Sequence, residues 1–218
     1  MADRPSILSA ELSEYIAAHA APPDDVLRGL QQRTAEFGRA ARMQVAPEEG
    51  ALLTLLTKLV GARQAIELGT FTGYSSTCIA RGMPADGRLV CCDVSEEYTA
   101  LAKDAWERAG LTDRIELRIG PAIDTVRALP ATTHLDLSFI DADKASYAAY
   151  YDELLPRTRA GGVILVDNTL WSGRVLDHDV DDSDTVAMRA FNDKVAADDR
   201  VDAVILPVSD GLTLIRKR

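Results

Sequence analysis

A basic surplus is missing from this chain. Lysine and arginine together number 24 against 34 acidic residues, a formal net charge of −10. A field of that sign repels phosphate, so no nucleic-acid partner is expected. Long apolar runs are missing too. No stretch approaches the ~18 uninterrupted apolar residues of a membrane span. Cysteine is scarce: Cys78, Cys91 and Cys92 are too few for a disulfide scaffold. The last two are adjacent in an apparent strand, which points their side chains to opposite faces. A reducing, cytoplasmic setting is therefore expected. Glu11 and Glu14 interrupt the apolar run that a signal peptide needs. The three histidines, His19, His134 and His178, show no metal-ligand spacing, which leaves zinc without its usual donors. Internal repeats and low-complexity tracts are absent.

What remains is ordinary globular material, 218 residues with 47% apolar content, consistent with one domain. The first 60 residues read as helical. Leu8, Leu12, Tyr15 and Ile16 share one helical face. Pro22-Pro23 ends that segment, and Asp24 caps a second carrying Leu27, Leu30, Phe37 and Ala41. Pro47 starts a third, with an expected buried stripe of Leu52, Leu55, Leu56 and Leu59.

From residue 64 the pattern changes. Apolar runs at 64–69, 88–93, 115–120, 135–141 and 162–168 alternate with amphipathic stretches. This implies βαβ units and a parallel sheet covered on both faces. The runs 201–208 and 212–217 are separated only by Ser209-Asp210-Gly211, which closes a hairpin but cannot carry a parallel crossover. The expected fold is a Rossmann-like, doubly wound α/β sheet of seven strands, mostly parallel, with a C-terminal antiparallel hairpin. Residues 1–45 form a helical cap and 46–218 a binding core.

In such sheets ligands bind at the carboxyl ends of the strands. The first run ends Glu67-Leu68-Gly69-Thr70-Phe71-Thr72-Gly73. Two glycines let backbone pass close to a ligand, but the loop is not G-x-G-x-x-G, so a pyrophosphate cradle is poorly supported. Glu67 would repel a diphosphate and attract a cation. Asp93, ending the second run, either accepts ribose hydroxyls or caps the next helix, for which Ser95 is also available. After the third run, Gly120-Pro121-Ala122 leaves room for a flat ring, or Pro121 serves equally well as a helix starter. The fourth and fifth runs end in Asp141-Ala142-Asp143-Lys144 and Asp167-Asn168. If those tips adjoin, Asp141, Asp167 and Asn168 offer hard oxygens suited to Mg²⁺, Ca²⁺ or Mn²⁺; otherwise they cap helices and build turns. Lys144 reaches the same cavity or is a solvated surface lysine. Trp171 walls an acceptor or packs a loop. The acidic run 177–184 reads as a solvated loop.

These residues resemble a known family, the metal-dependent class I O-methyltransferases of the caffeoyl-CoA and catechol type, most closely bacterial members. The resemblance runs from about residue 40 to the C-terminus on MQVAPEEGALL, AIELGTFTGYSS, LVCCDVS, FIDADKASY, GGVILVDNTLWSG and DGLTLIRK. It implies S-adenosyl-L-methionine as co-substrate and a divalent metal, magnesium being expected. Glu67, Gly69 and Ser75 would border the methionine part of that cofactor, with Thr70 on the same side. Asp93 would hold its ribose and Ala122 would lie near its adenine. Met43 and Val45 would close over it, with Asp141, Asp143 and Tyr150 at further cofactor-side positions. Asp141, Asp167 and Asn168 match the metal ligands, and Lys144 the general base, so that Lys144 and Asp141 carry the catalysis. The implied acceptor is a small aromatic molecule with vicinal hydroxyls, with Trp171 on the substrate side, and the implied assembly a homodimer. Ser172 stands where plant caffeoyl-CoA enzymes carry asparagine; that departure and the acidic charge point away from a CoA ester. A metal-independent transfer to another hydroxyl or an amine is the nearest competitor. A nicotinamide oxidoreductase is opposed by the missing third glycine and the terminal hairpin, and a non-catalytic binding module by the chemical competence of every site position.

Overall fold

The computed structural model describes residues 9–132 and 134–218; Leu8 lies outside them. Three helices lead the chain: α1 (Ala10–His19), α2 (Asp25–Ala35) and α3 (Pro47–Val60). Asp24 caps α2 as expected, its Oδ1 accepting the Leu27 N–H at 3.0 Å. Pro47 opens α3, and Gly61 closes it with φ 64°. Two expectations fail in this region. Helix α2 stops at Ala35, so Phe37 and Ala41 do not continue its face. Phe37 instead packs edge-on to Tyr98 with ring centroids 5.0 Å apart, and Gly38 (φ 59°) turns the chain into a 3-10 helix over Gly38–Met43. In α3 the leucine stripe holds only in part: Leu52 and Leu56 are partly buried against the core, but the fully buried face is another one. Leu55 and Leu59 are 53% and 73% exposed, while Glu49, Gly50, Leu53 and Thr57 are buried. The cause is close helix packing on α4 (Tyr74–Gly82). A Cβ on Gly50 would lie 2.7 Å from the Tyr74 ring, and one on Gly82 would lie 2.5 Å from Thr57 Cβ. Helices approach this closely only along their small side chains. On α1, the face of Leu12, Tyr15 and Ile16 is exposed as well.

The strands are β1 (Gln64–Leu68), β2 (Arg88–Asp93), β3 (Ile115–Ile119), β4 (Leu135–Ile140), β5 (Thr158–Val166), β6 (Val201–Leu206) and β7 (Leu212–Lys217). Their order in the sheet is β3-β2-β1-β4-β5-β7-β6. The first five are parallel, and β7 runs antiparallel to both β5 and β6. Strand β5 begins four residues before the run read from the sequence, because Thr158 pairs with Leu135 ahead of a register shift. Helices α5 (Glu96–Arg108), α6 (Ala122–Ala128), α7 (Tyr147–Arg157) and α8 (Ser183–Ala196) complete the layers. One core, with Leu53, Ile79, Cys91 and Leu137, lies on the face that α2–α5 cover. The other, with Ile66, Cys92, Tyr151 and Phe191, lies under α6–α8. Cys91 and Cys92 thus point to opposite faces, as strand alternation requires. Among the described residues no helix is long and apolar enough to cross a membrane. The chain reverses its direction of winding between β1 and β4, and in such sheets the ligand crevice lies at the strands' carboxyl ends beside that point.

Candidate active site

The β1 tip enters this crevice tightly. Gly69 has φ 88°, and a Cβ on it would sit 1.9 Å from the Asp141 carbonyl oxygen. Only glycine fits, so the loop after β1 and the tip of β4 touch backbone to backbone. Asp141 N–H donates to Leu68 O at 2.8 Å, locking the two tips. Glu67, the last charge before the loop, is 0% exposed. Neither of its carboxyl oxygens has a hydrogen-bond partner of full geometry. Burial pushes its pKa up to about 8, although Ser75, Thr70 and Cys91 face it and pull the other way. Asp93 Oδ2 accepts the N–H groups of Thr70 (2.9 Å) and Phe71 (2.7 Å), and its Oδ1 accepts that of Ser95 (2.8 Å). It fastens the loop, while Ser95 caps α5. Gln44, beside Met43 and Val45, donates to Thr34 Oγ1 (2.9 Å) and Thr72 Oγ1 (3.2 Å). This buried trio ties residues 43–45 to the glycine loop. Ala122 is buried at the start of α6, and the Tyr150 hydroxyl donates to Asp143 Oδ1 at 2.5 Å.

The tips of β4 and β5 form the other half. Lys144 Nζ donates to Asp141 Oδ1 (3.0 Å), Asn168 Oδ1 (2.6 Å) and the Tyr147 hydroxyl oxygen (2.6 Å). Its three donors are thereby used. The Tyr147 O–H donates onward to Asp167 O at 3.2 Å. Asp167 is buried, and its Oδ1 accepts the Asn168 N–H at 2.6 Å. Burial raises its pKa well above the usual carboxylate range, with Glu49 and Asp141 adding to the rise and Lys144 opposing it. Burial likewise raises Glu49, on the first turn of α3, whose Oε1 is unpartnered. Three carboxylates therefore crowd one ammonium. The Trp171 ring centroid lies 5.7 Å from Lys144 Nζ, so this side chain borders the same space.

Comparison with known proteins decides the class. Residues 17–218 match the family described as O-methyltransferase. The chain belongs to the O-methyltransferase family. It is 40% identical over 207 residues to a probable caffeoyl-CoA O-methyltransferase of Dictyostelium discoideum, covering 93% of this chain and 90% of that one. It is 36% identical over 197 residues to a catechol O-methyltransferase of the bacterium Niastella koreensis, covering 89% of each. The crystal structure of an O-methyltransferase from Bacillus cereus in complex with SAH superposes with a TM-score of 0.87 at 33% identity, over 95% of this chain and 97% of that one. The protein is a methyltransferase.

The site residues read from this methyltransferase's sequence are spread over strand ends, loops and helices: Glu67 is in β1, Asp93 ends β2, Ser75 is in α4, Ala122 opens α6 and Tyr150 is in α7, while Met43 and Val45 flank Gln44. Asp141, Asn168 and Trp171 come together around Lys144 at the tips of β4 and β5, with Asp167 next to Asn168. Glu67, Gly69, Thr70, Ser75 and Asp93 gather around the glycine loop. The structure adds residues the sequence did not single out. Glu49 looked like an ordinary acid in a first helical turn, where the helix dipole welcomes one. Tyr147 looked like one member of an apolar stripe, although its spacing from Lys144 was the available signal. Gln44 and Thr72 lie inside two of the quoted motifs, but nothing local showed that they meet.

The donor set suits a hard divalent ion. Asp141 Oδ1 and Asn168 Oδ1 already converge on one cationic atom, Lys144 Nζ, and Asp167 adds a third hard oxygen donor beside them. Among the described residues no group of three His, Cys, Asp or Glu side chains is placed to hold a metal. Here only two of the expected ligands are carboxylates, the third being the amide of Asn168.

Proposed function

We propose that this methyltransferase uses S-adenosyl-L-methionine to methylate one hydroxyl of a small aromatic molecule with vicinal hydroxyls, aided by a divalent ion, magnesium by preference. The observation that carries this reading is the contact of Gly69 with the Asp141 carbonyl. The glycine loop, which would serve the methyl donor, thereby adjoins the oxygen cluster that would serve the acceptor, and this supports the reading. The SAH bound to the Bacillus cereus relative supports the donor.

Glu67 and Asp93 would orient the donor from its methionine and ribose ends, and Met43 and Val45 would shut water out. Asp141, Asp167 and Asn168 would hold the ion, whose Lewis acidity lowers the pKa of a bound hydroxyl. Lys144 would take that hydroxyl proton on Nζ once it has given up its own extra proton. Tyr147 holds Nζ at 2.6 Å; Trp171, 5.7 Å from Nζ, would wall the ring. The oxygen then forms its bond to the methyl carbon as the carbon–sulfur bond breaks, leaving a neutral thioether. Alignment of this kind can supply roughly 7–11 kcal/mol.

The second reading drops the ion. Lys144 fills the gap between the strand tips with all three donors used, which favours a lysine-centred site acting on a lone hydroxyl or an amine. Titrating activity with Mg²⁺ after chelation separates the two. Full catechol turnover in excess chelator refutes the ion.

The chain is taken as one methyltransferase domain, 1–45 capping 46–218. The exposed Leu55 and Leu59, with Leu12 and Tyr15 on α1, support a homodimer. Three buried free cysteines support a cytoplasmic setting.

A further inference from the structure

We propose that Asp210, in the turn between β6 and β7, is a positioning residue for the acceptor side of the site. The topology supplies the reason. Strand β7 runs antiparallel to β5 with Thr213 opposite Val166, so the turn before β7 meets the loop after β5. That loop carries Asn168 and Trp171; two turn bonds hold it from within (Trp171 N–H to Asn168 O, 3.0 Å, and Gly173 N–H to Leu170 O, 2.9 Å), and Asn192 of α8 donates to Thr169 O at 2.8 Å, but none of these bonds holds the Ser172 amide. Asn168 (φ 60°), Trp171 (φ 47°) and Ser172 (φ 54°) all adopt the left-handed backbone that side chains disfavour, followed by Gly173 (φ 78°). Such a run persists only where its surroundings over-determine it.

The hairpin turn provides that restraint. Leu170 N–H donates to Asp210 O at 3.0 Å, and Thr169 donates to Gly211 O through its N–H (2.9 Å) and its hydroxyl (3.0 Å). A Cβ on Gly211 would lie 2.5 Å from Leu170 Cγ, so the two segments are in direct contact. The Asp210 carboxylate completes the seam. It is 4% exposed, and its Oδ1 accepts the Ser172 N–H at 2.6 Å. A charged acceptor makes this a strong bond. It falls on the central residue of the left-handed run, directly beside Trp171. Asp210 is not among the residues proposed to hold donor or acceptor. It sets the direction in which Trp171 and Asn168 face Lys144. The inference rests on the proposed acceptor side, and the test separates the two.

The full-length protein is assayed with catechol, S-adenosylmethionine and Mg²⁺. Asp210→Ala raises the KM for catechol roughly tenfold, as expected for losing a bond to a charged group, while the KM for S-adenosylmethionine stays within about twofold. Asp210→Asn, which keeps an oxygen for the Ser172 amide, restores most of the catechol KM. Adding Ser172→Gly to Asp210→Ala restores part of it, because glycine takes the left-handed backbone without strain; this double variant carries the comparison if the single one does not accumulate folded. Amide hydrogen exchange over 168–174 quickens in Asp210→Ala, and calorimetric affinity for S-adenosylhomocysteine is unchanged. Both KM values rising together, or unchanged exchange in this loop, overturns the role of Asp210. Absence of catechol turnover in the parent protein overturns the acceptor reading instead, and the exchange and calorimetry still decide Asp210.

Discussion

Replacing Glu67 by glutamine removes the titration of a carboxyl that the fold holds at 0% exposure with no full hydrogen bond. Burial raises its pKa from 4.5 to about 8 in the folded state. At about 1.4 kcal/mol per tenfold change in proton affinity, that shift corresponds to about 5 kcal/mol once the group ionises in both states. The sign follows from linkage. Below pH 4.5 the carboxyl is protonated whether folded or unfolded, and it costs nothing. As pH rises from 4.5 toward 8 only the unfolded chain ionises, so stability falls steadily, and above 8 the loss is complete. At pH 7.5 the cost is about 4 kcal/mol and at pH 5 about 1 kcal/mol. Glutamine has nearly the same shape and no such titration. Any fixed cost of burying its amide is the same at both pH values. Urea unfolding of both proteins without S-adenosylmethionine, at pH 5 and pH 7.5, gives two differences in free energy. The variant's advantage is expected to grow by about 3 kcal/mol between them. An advantage that stays constant with pH refutes the reasoning, since it would mean that Glu67 is ionised in the folded protein at neutral pH.

Three further outcomes are expected. Gly69→Ala forces a Cβ to within 1.9 Å of the Asp141 carbonyl and demands φ 88° of an alanine, so it should destabilise the protein by more than about 3 kcal/mol; a parent-like Tm refutes the contact. Gln44→Ala removes both bonds that tie residues 43–45 to the glycine loop. Calorimetry should show S-adenosylhomocysteine binding roughly threefold to tenfold more weakly, and unchanged affinity would mean that this segment does not close over the donor. Leu55→Glu combined with Leu59→Glu puts charge on the exposed leucines of α3. Sedimentation should then report monomer where the parent reports dimer, whereas a monomeric parent removes the homodimer proposal.

Local rules determined much of this protein without its tertiary structure. Pro47 and Gly61 bound α3 because each acts within its own turn, and the short link before β7, read as three residues and five (207–211) in the structure because β6 ends at Leu206, forced an antiparallel end because a parallel crossover needs far more chain. The order of acids after β1, β2, β4 and β5 marked the functional end of the sheet because strand tips in such folds share one edge. The choice of helix face belonged to the tertiary structure. Periodicity located the leucine stripe of α3 but could not reveal that Gly50 and Gly82 let that helix pack by its small side, which turns Leu55 and Leu59 outward and Glu49 inward. The partners of Lys144, the buried link from Gln44 to Thr72 and the grip of Asp210 on Ser172 likewise join segments distant in sequence. Burial and hydrogen bonding at such places depend on what the fold brings opposite a residue, and no local pattern encodes it.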